Sequence, residues 1–351
     1  MSFLKNTAAT LAGVALAATA SLTAVSSADA QTRWRMASTY PSQLAQLGTL
    51  GVQLSEELEK VSGGEFQLRL YEPGALLPAL EAFDAIGQGS VDAAWSTPGY
   101  WQGKEPALSI FAAIPFGPKA GEYLAWMMHG GGIELMDGIY ARHNLKAVIC
   151  GVIAPEASGW FREEINSVED LQGLKMRFFG LGARVMDKLG VSTQLLAAGD
   201  IYPALERGTI DATEFSMPAI DQSLGFYQIA KHYYFPGWHQ QSTLFELLMN
   251  LEKYNALSDQ EKAMIDNVCT ANTLRGLAEG EAIQVKALME MQDAGVTIHR
   301  WSDEILGTLE STWLEVAAEL SESNEDFAAA WASLSEFREN YTIWKNIGYL
   351  D

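Results

Sequence analysis

Arg33-Trp34-Arg35-Met36-Ala37, then Leu47, Leu50, Leu54, Leu58 and Val61, then Phe66-Gln67-Leu68-Arg69-Leu70-Tyr71, then Ala79 to Ile86, then Val91-Asp92-Ala93-Ala94-Trp95: residues 33–95 decide the fold. The first and third runs have the apolar, β-rich character of strands, and the third alternates with period two. The leucines of the second recur every three or four residues, as on one helix face. Gly63-Gly64 stops that helix, and Pro73-Gly74 and Gly87 to Gly89 make turns. Strand, helix, strand, helix, strand predicts an α/β unit with a largely parallel sheet.

The same grammar returns further along. Val148 to Ile153 reads as a long apolar strand and Trp160-Phe161 begins another. Ser167-Val168-Glu169-Asp170 caps a short helix, and Leu174 to Arg177 is a strand. Helices over Ala183–Leu189 and Asp200–Arg207 alternate with strands over Ser192–Leu195 and Ile210–Glu214. Thr243 to Leu251 is again an apolar strand. Val148–Ile153 and Thr243–Leu251 then serve as the two strands that join the units, which makes a hinge and a cleft. The expected division is 31–152 plus about 245–290 for domain I, and 153–244 plus about 291–351 for domain II and the C-terminal helices. A long helix runs from the Ser258-Asp259-Gln260-Glu261 start to about Ala294, Val296-Thr297-Ile298 is a short strand, and the C-terminus is helical. In the last helix Phe327, Trp331, Leu334, Phe337, Tyr341 and Trp344 share one face. That stripe fits packing against the chain itself or a homodimer contact.

Residues 1–30 have the order of a secretory signal peptide: Lys5, a weakly apolar run from Ala8 to Ala28, then Ala28-Asp29-Ala30 as a small-x-small cleavage site. A mature chain starting at Gln31 belongs in the periplasm. No later run nears the ~20 apolar residues of a membrane span. With 48% hydrophobic and 19% charged residues, the composition is that of a globular protein with a large core. A net charge of −21 repels phosphate backbones and anionic lipid, which argues against nucleic acid and membrane surfaces as partners. An anionic ligand would need local positive charge from an arginine, a metal ion or both. Cys150 lies in an apolar run and Cys269 on a helical pattern, so two buried free thiols are the expectation, with a disulfide the alternative in an exported chain. His129, His143, His232, His239 and His299 show no metal-ligand spacing.

Asp200-Ile201-Tyr202-Pro203-Ala204-Leu205-Glu206-Arg207-Gly208-Thr209-Ile210-Asp211-Ala212-Thr213-Glu214 resembles the signature of the substrate-binding proteins of tripartite ATP-independent periplasmic (TRAP) transporters. Leu171 to Arg177 resembles that family's second hallmark, the strand carrying a carboxylate-binding arginine. His129 to Ile133, Gly159 to Arg162 and Tyr233 to Trp238 resemble the branch that binds 2-oxo acids. The similarity spans essentially the whole mature chain. It implies a two-domain Venus-flytrap α/β fold with hinge strands, a long helix across both domains and a helical C-terminus. It also implies a partner, the membrane permease, that receives the captured acid.

Carried over position by position, the resemblance makes Arg177 the bidentate partner of a ligand carboxylate, since its planar fork matches two oxygens. It places a cation beside the ligand, held by Glu156, Glu214, the Phe215 carbonyl and Gln240. Where the branch commonly has Gln, Trp and Glu, this chain has Glu156, Phe215 and Gln240, so acid and amide are exchanged across the site. Two carboxylates against one guanidinium and an anionic ligand leave negative charge to be offset in a closing cleft. Oxygen donors suit a hard cation, and sodium is expected ahead of calcium. Tyr40, Tyr100 and Trp101 are expected to wall the pocket opposite Arg177. Pyruvate-like 2-oxo monocarboxylates lead the ligand classes, followed by 2-hydroxy acids such as lactate and by sulfonates. Two rivals remain: an enzyme using Glu156 and Glu214 as a glycosidase pair, and an ABC-type binding protein. The chain has no nucleophile elbow, phosphate loop or zinc motif to support the first, and the two hallmarks oppose the second.

Overall fold

Two mixed sheets are covered by helices in the computed structural model, which describes residues 31–350; the signal-peptide reading of residues 1–30 lies outside them. In chain order the elements are β1 (Thr32–Ser38), α1 (Thr49–Val61), β2 (Phe66–Tyr71), α2 (Ala82–Gly87), β3 (Ala93–Ser96), α3 (Ala120–His129), α4 (Gly132–Ala141) and β4 (Leu145–Ile153). Then come β5 (Gly159–Phe161), β6 (Lys175–Arg177), α5 (Gly180–Lys188), β7 (Ser192–Gln194), α6 (Ala198–Glu206), β8 (Ala212–Thr213), α7 (Pro218–Leu224) and β9 (His232–Phe235). The chain ends with β10 (Thr243–Asn250), α8 (Leu251–Asn255), α9 (Asp259–Asp293), β11 (Thr297–Arg300), α10 (Asp303–Ser323) and α11 (Glu325–Gly348). Among the described residues no helix is long and apolar enough to cross a membrane.

The first sheet has the order β2-β1-β3-β10-β4 and the second β11-β9-β5-β8-β6-β7. β1 pairs in parallel with β2 and β3, as the α/β grammar requires. β10 runs antiparallel to both β3 and β4, which corrects the expectation of a largely parallel sheet. The reason is connectivity: the chain leaves the first sheet at the end of β4 and re-enters it from the second along β10. The two joining strands therefore lie side by side and opposed. Their register shifts between Phe245 and Glu246, and that irregularity turns neighbouring side chains to different sides.

Local signals become local structure. Leu50, Leu54 and Leu58 are the buried stripe of α1, while Val61, read as part of it, is exposed. Ser258 caps α9 through a capping box with Glu261, and Ser167 forms one with Asp170. The run Ala79–Ile86 divides into a 3₁₀ turn over Ala79–Glu81 followed by α2. α3, α4, α7, α8 and β9 have no counterpart among the elements expected from the sequence. The last helix of the C-terminal group has contacts on the first sheet's helices. Phe327, Ala330 and Leu334 of α11 are buried. Trp126 of α3 donates to Ser333, and Arg338 pairs with Glu122 of α3. The first half of α11 therefore packs on helices that flank the first sheet. Beyond it Ile343, Trp344 and Ile347 are exposed.

Cys150 and Cys269 form a disulfide, which corrects the expectation of two free thiols. α9 lies directly on β4. Asn272 of α9 donates to the Cys150 carbonyl at 2.8 Å, and the two cysteine Cα atoms approach to 4.0 Å. Neither strand nor helix periodicity carries that contact, because 119 residues separate the two positions.

Glu246 is buried in the first sheet and accepts from Trp101 Nε1 at 2.8 Å and Tyr140 OH at 2.7 Å. Burial pushes its carboxyl from 4.5 up to about 7. Between those values the folded state keeps a proton that the unfolded state has released, so stability falls as pH rises through the window. The expected loss is on the order of 3 kcal/mol between pH 5 and pH 8. Urea denaturation at the two pH values checks this, with Glu246→Gln flattening the dependence. An equal slope in the variant would remove Glu246 as its source.

Candidate functional site

The crossing from β4 to β5, residues 154–158, carries Glu156, and the crossing back from β9 to β10 carries His239 and Gln240. The two segments are held together by backbone bonds: Glu156 N–H donates to Gln240 O at 3.1 Å, and Gly237 N–H to Glu156 O at 3.0 Å. A Cβ on Gly237 would stand 2.3 Å from the Glu156 carbonyl oxygen, so only glycine allows this approach. From the second sheet, β6 ends at Arg177, and β8 leads into Glu214, Phe215 and Ser216. β6 and β8 are parallel neighbours, with Arg177 opposite Thr213.

Arg177 is 1% exposed, Glu214 0% and Glu156 3%, an unusual depth for three charged groups. Arg177 Nη1 donates to Glu214 Oε1 at 2.7 Å and to the Glu214 carbonyl at 2.9 Å; Nε reaches Leu196 O at 3.3 Å. Its guanidinium lies 5.0 Å over the Phe215 ring. Nη2 has no protein partner among the described residues. The fork expected for a ligand is thus half committed to Glu214, and Nη2 is the face that remains for an anion.

The two glutamates are held in opposite states. Burial alone would raise the Glu214 carboxyl, yet Arg177, His239 and the Phe179 amide together bring it below its ordinary value. Burial, with Glu214 and Asp221 nearby, pushes the Glu156 carboxyl well up. Glu156 Oε1 accepts from Thr243 Oγ1 at 3.2 Å and Ser216 Oγ at 3.4 Å. Three buried acceptors then have no donor among the described residues: Glu156 Oε2, Glu214 Oε2 and Gln240 Oε1. Buried acceptors of this kind are rarely left bare, and oxygen atoms gathered in one place are what a hard cation binds.

Glu156, Arg177, Phe215 and Gln240 line one small cavity together with Tyr40 and Tyr100 from the first sheet's side. Its volume is about 20 Å³, enough for a cation or one water. Of the sequence-derived residues, Tyr40, Tyr100, Glu156, Arg177, Phe215 and Gln240 meet there, and Glu214 lies directly behind Arg177. Trp101 does not. It is 1% exposed, faces the first sheet's core and donates to Glu246. Pro98–Trp101 is a 3₁₀ turn, which aims consecutive side chains in different directions. A larger groove of about 420 Å³ lies between α1 and α9 against Val61, Met264 and Arg275, and holds none of the bare acceptors.

Several residues at the site were missed. Phe179 lines the cavity. Asp221 accepts from Ser216 N–H at 3.0 Å, Trp160 Nε1 at 2.8 Å and Tyr233 OH at 2.9 Å, which anchors the Phe215–Ser216 loop. His239 is 1% exposed with Nε2 3.4 Å from Glu214 Oε2. Its ligand nitrogen and one oxygen each of Glu156 and Glu214 lie within 4.8 Å of one another. Spacing along the sequence concealed this, because the three residues come from three separate segments.

Residues 36–324 match the family profile described as bacterial extracellular solute-binding protein, family 7 (DctP). The chain is 32% identical over 319 residues to a monocarboxylate 2-oxoacid-binding periplasmic protein of Nostoc sp., covering 91% of this chain and 87% of that one. It is similar to the crystal structure of a TRAP transporter solute-binding protein from Bordetella bronchiseptica, a dimer with co-purified calcium and picolinate bound. That match has TM-score 0.89 and 32% identity, over 91% of this chain and 95% of that one. A TRAP periplasmic solute-binding protein from Pseudoalteromonas atlantica with bound sodium and pyruvate matches with TM-score 0.86 and 29% identity, over 91% and 97%.

Proposed function

The chain belongs to family 7 of the bacterial extracellular solute-binding proteins, as a TRAP solute-binding protein and not an enzyme, and on that premise we propose that it captures a small 2-oxo monocarboxylate together with a cation in the periplasm and passes the acid to a membrane permease. The observation that carries this reading is the pairing, in one small cavity, of the free Nη2 of Arg177 with the bare oxygens of Glu156 and Gln240, and of Glu214 behind it. Nη2 takes the ligand carboxylate. Glu156, Glu214, Gln240 and the Phe215 carbonyl would hold the cation, which would supply positive charge to the oxygen on the ligand's second carbon. One guanidinium and one cation suit one carboxylate with an adjacent oxygen, and Tyr40, Tyr100 and Phe215 leave little room beyond it. Export through residues 1–30 as a cleavable signal peptide, a lobe division at the β4 and β10 crossings, and a homodimer through the exposed apolar end of α11 complete the reading.

Calorimetry against 2-oxo, 2-hydroxy and dicarboxylic acids, with and without sodium or calcium, tests it. Pyruvate-like acids should bind tightest and only with a cation present. A tight dicarboxylate binder would contradict a single-arginine pocket. Glu214→Gln, or thorough chelation, should weaken acid binding by about tenfold to a hundredfold; unchanged affinity in both would remove the cation.

The acid enters only if the lobes part, since the cavity is smaller than the ligand. Closure brings Gly99, after β3, against Phe179, after β6: a Cβ on Gly99 would lie 2.3 Å from the Phe179 ring. In Gly99→Ala the clash is relieved by staying open. Acid affinity should therefore drop by roughly 5- to 100-fold, the 1–3 kcal/mol of an overpacked contact, with little change in the ligand-free melting temperature. A melting temperature that falls while affinity holds would place the contact in the static core instead.

A further inference from the structure

Beside the oxygen donors around the cavity, the most poorly satisfied side chain is an imidazole. His239 is 1% exposed, and neither ring nitrogen has a hydrogen-bond partner among the described residues. Its ring is fixed edge-on to Phe178 at 4.9 Å, and a Cβ on Gly182 would press on its own Cβ at 2.9 Å, so it is wedged in place. Nε2 faces Glu214 Oε2 at 3.4 Å without meeting it as a directed hydrogen bond. Donor atoms bound to one metal at about 2.1 Å stand roughly 3–4 Å apart, so the 4.8 Å triangle of Glu156, Glu214 and His239 closes on an ion with a shift of under an ångström.

We propose that His239 Nε2 is a direct ligand of the cation, and that the site accordingly takes a first-row divalent transition ion of the manganese-to-zinc series in preference to sodium or calcium. This rests on the cation reading and deepens it. Charge argues for a divalent ion, and the nitrogen donor argues for a transition ion among the divalent ones. With a cation bound and Glu156 ionised, Glu156 and Glu214 against Arg177 and a monocarboxylate leave two negative charges, which any divalent ion, calcium included, neutralises and sodium does not. Imidazole nitrogen is a borderline donor that binds zinc, cobalt and nickel well, and adds little to sodium or calcium. The competing arrangement, His239 as a simple hydrogen-bond donor to Glu214, predicts no gain from a transition ion.

The test uses the full chain, stripped with chelator, and Co2+ as probe. Wild type should develop a visible Co2+ absorption band at one equivalent. His239→Ala should weaken Co2+ by tenfold or more while Ca2+ affinity changes less than threefold. If the variant folds poorly, pulsed EPR of Mn2+-loaded wild type should show nitrogen coupling that excess Ca2+ displaces. Equal Co2+ affinity in both proteins, or Ca2+ binding without Co2+ binding, overturns the nitrogen ligand and leaves the oxygen cage standing. Failure of Na+, Ca2+ and Co2+ alike overturns both. His232 and His299, whose ring nitrogens meet at 2.9 Å, form a separate imidazole pair. A Co2+ signal that survives His239→Ala and Glu214→Gln belongs to that pair and counts against the proposal.

Discussion

Replacing Arg177 with alanine is expected to take acid binding below detection, a loss of at least about a thousandfold, or 4 kcal/mol. The change removes the one guanidinium that lines the cavity among the described residues and strands its partner. Glu214 is 0% exposed and takes its main charge compensation from Arg177 Nη1 at 2.7 Å. Breaking such a buried pair costs about 3–5 kcal/mol beyond the lost ligand contact, because an uncompensated carboxylate remains. The variant should therefore melt lower as well as fail to bind. Arg177→Lys separates the two effects. A lysine keeps the charge beside Glu214 but cannot serve Glu214 and the ligand from two nitrogens at once. It should recover most of the stability and little of the binding. Calorimetry and thermal denaturation on the three proteins decide the matter, and acid affinity within tenfold of wild type in Arg177→Ala would refute the site.

Removing the disulfide should produce the largest change in stability away from the site. Cys150 and Cys269 close a loop 119 residues long. The chain-entropy relation assigns such a loop about 5 kcal/mol, and measured bridges more commonly give 2–4. A Cys150→Ala, Cys269→Ala double variant should lose about 3–5 kcal/mol and melt on the order of 10 °C lower. Alanine is preferred to serine because both positions are fully buried and a hydroxyl would find no partner. Acid affinity should be nearly unchanged, since the bridge joins β4 to α9 away from the cavity. Thiol titration of the unreduced, denatured wild type should find no free cysteine. Two titratable thiols, or identical melting curves, would contradict the bridge.

Much of this protein is local and so was legible. The Ser167 and Ser258 caps, the buried leucine stripe of α1 and the long α9 follow from spacing within a few residues. Arg177 and Glu214 are legible for a similar reason: each ends a short strand whose motif is continuous in sequence, and parallel pairing of β6 with β8 sets them side by side. Tyr100 and Trp101 mark the limit of such reading. They are adjacent and chemically alike, yet one lines the cavity and the other supports Glu246. The turn that separates them is set by packing, not by residue type.

The sequence by itself determined most of the element types, the α/β class, the family and the place of Arg177 at the end of a strand, because periodicity, capping and contiguous motifs act over distances the chain spans in one or two turns. Tertiary structure alone decided that β10 runs antiparallel between β3 and β4, that Cys150 meets Cys269, that half of the Arg177 fork is spent on Glu214, and that His239 joins Glu156 and Glu214. Each of these is a meeting of segments far apart in the chain. Which segments meet is fixed by burying the whole set of apolar faces at once, a condition that no single stretch of residues contains.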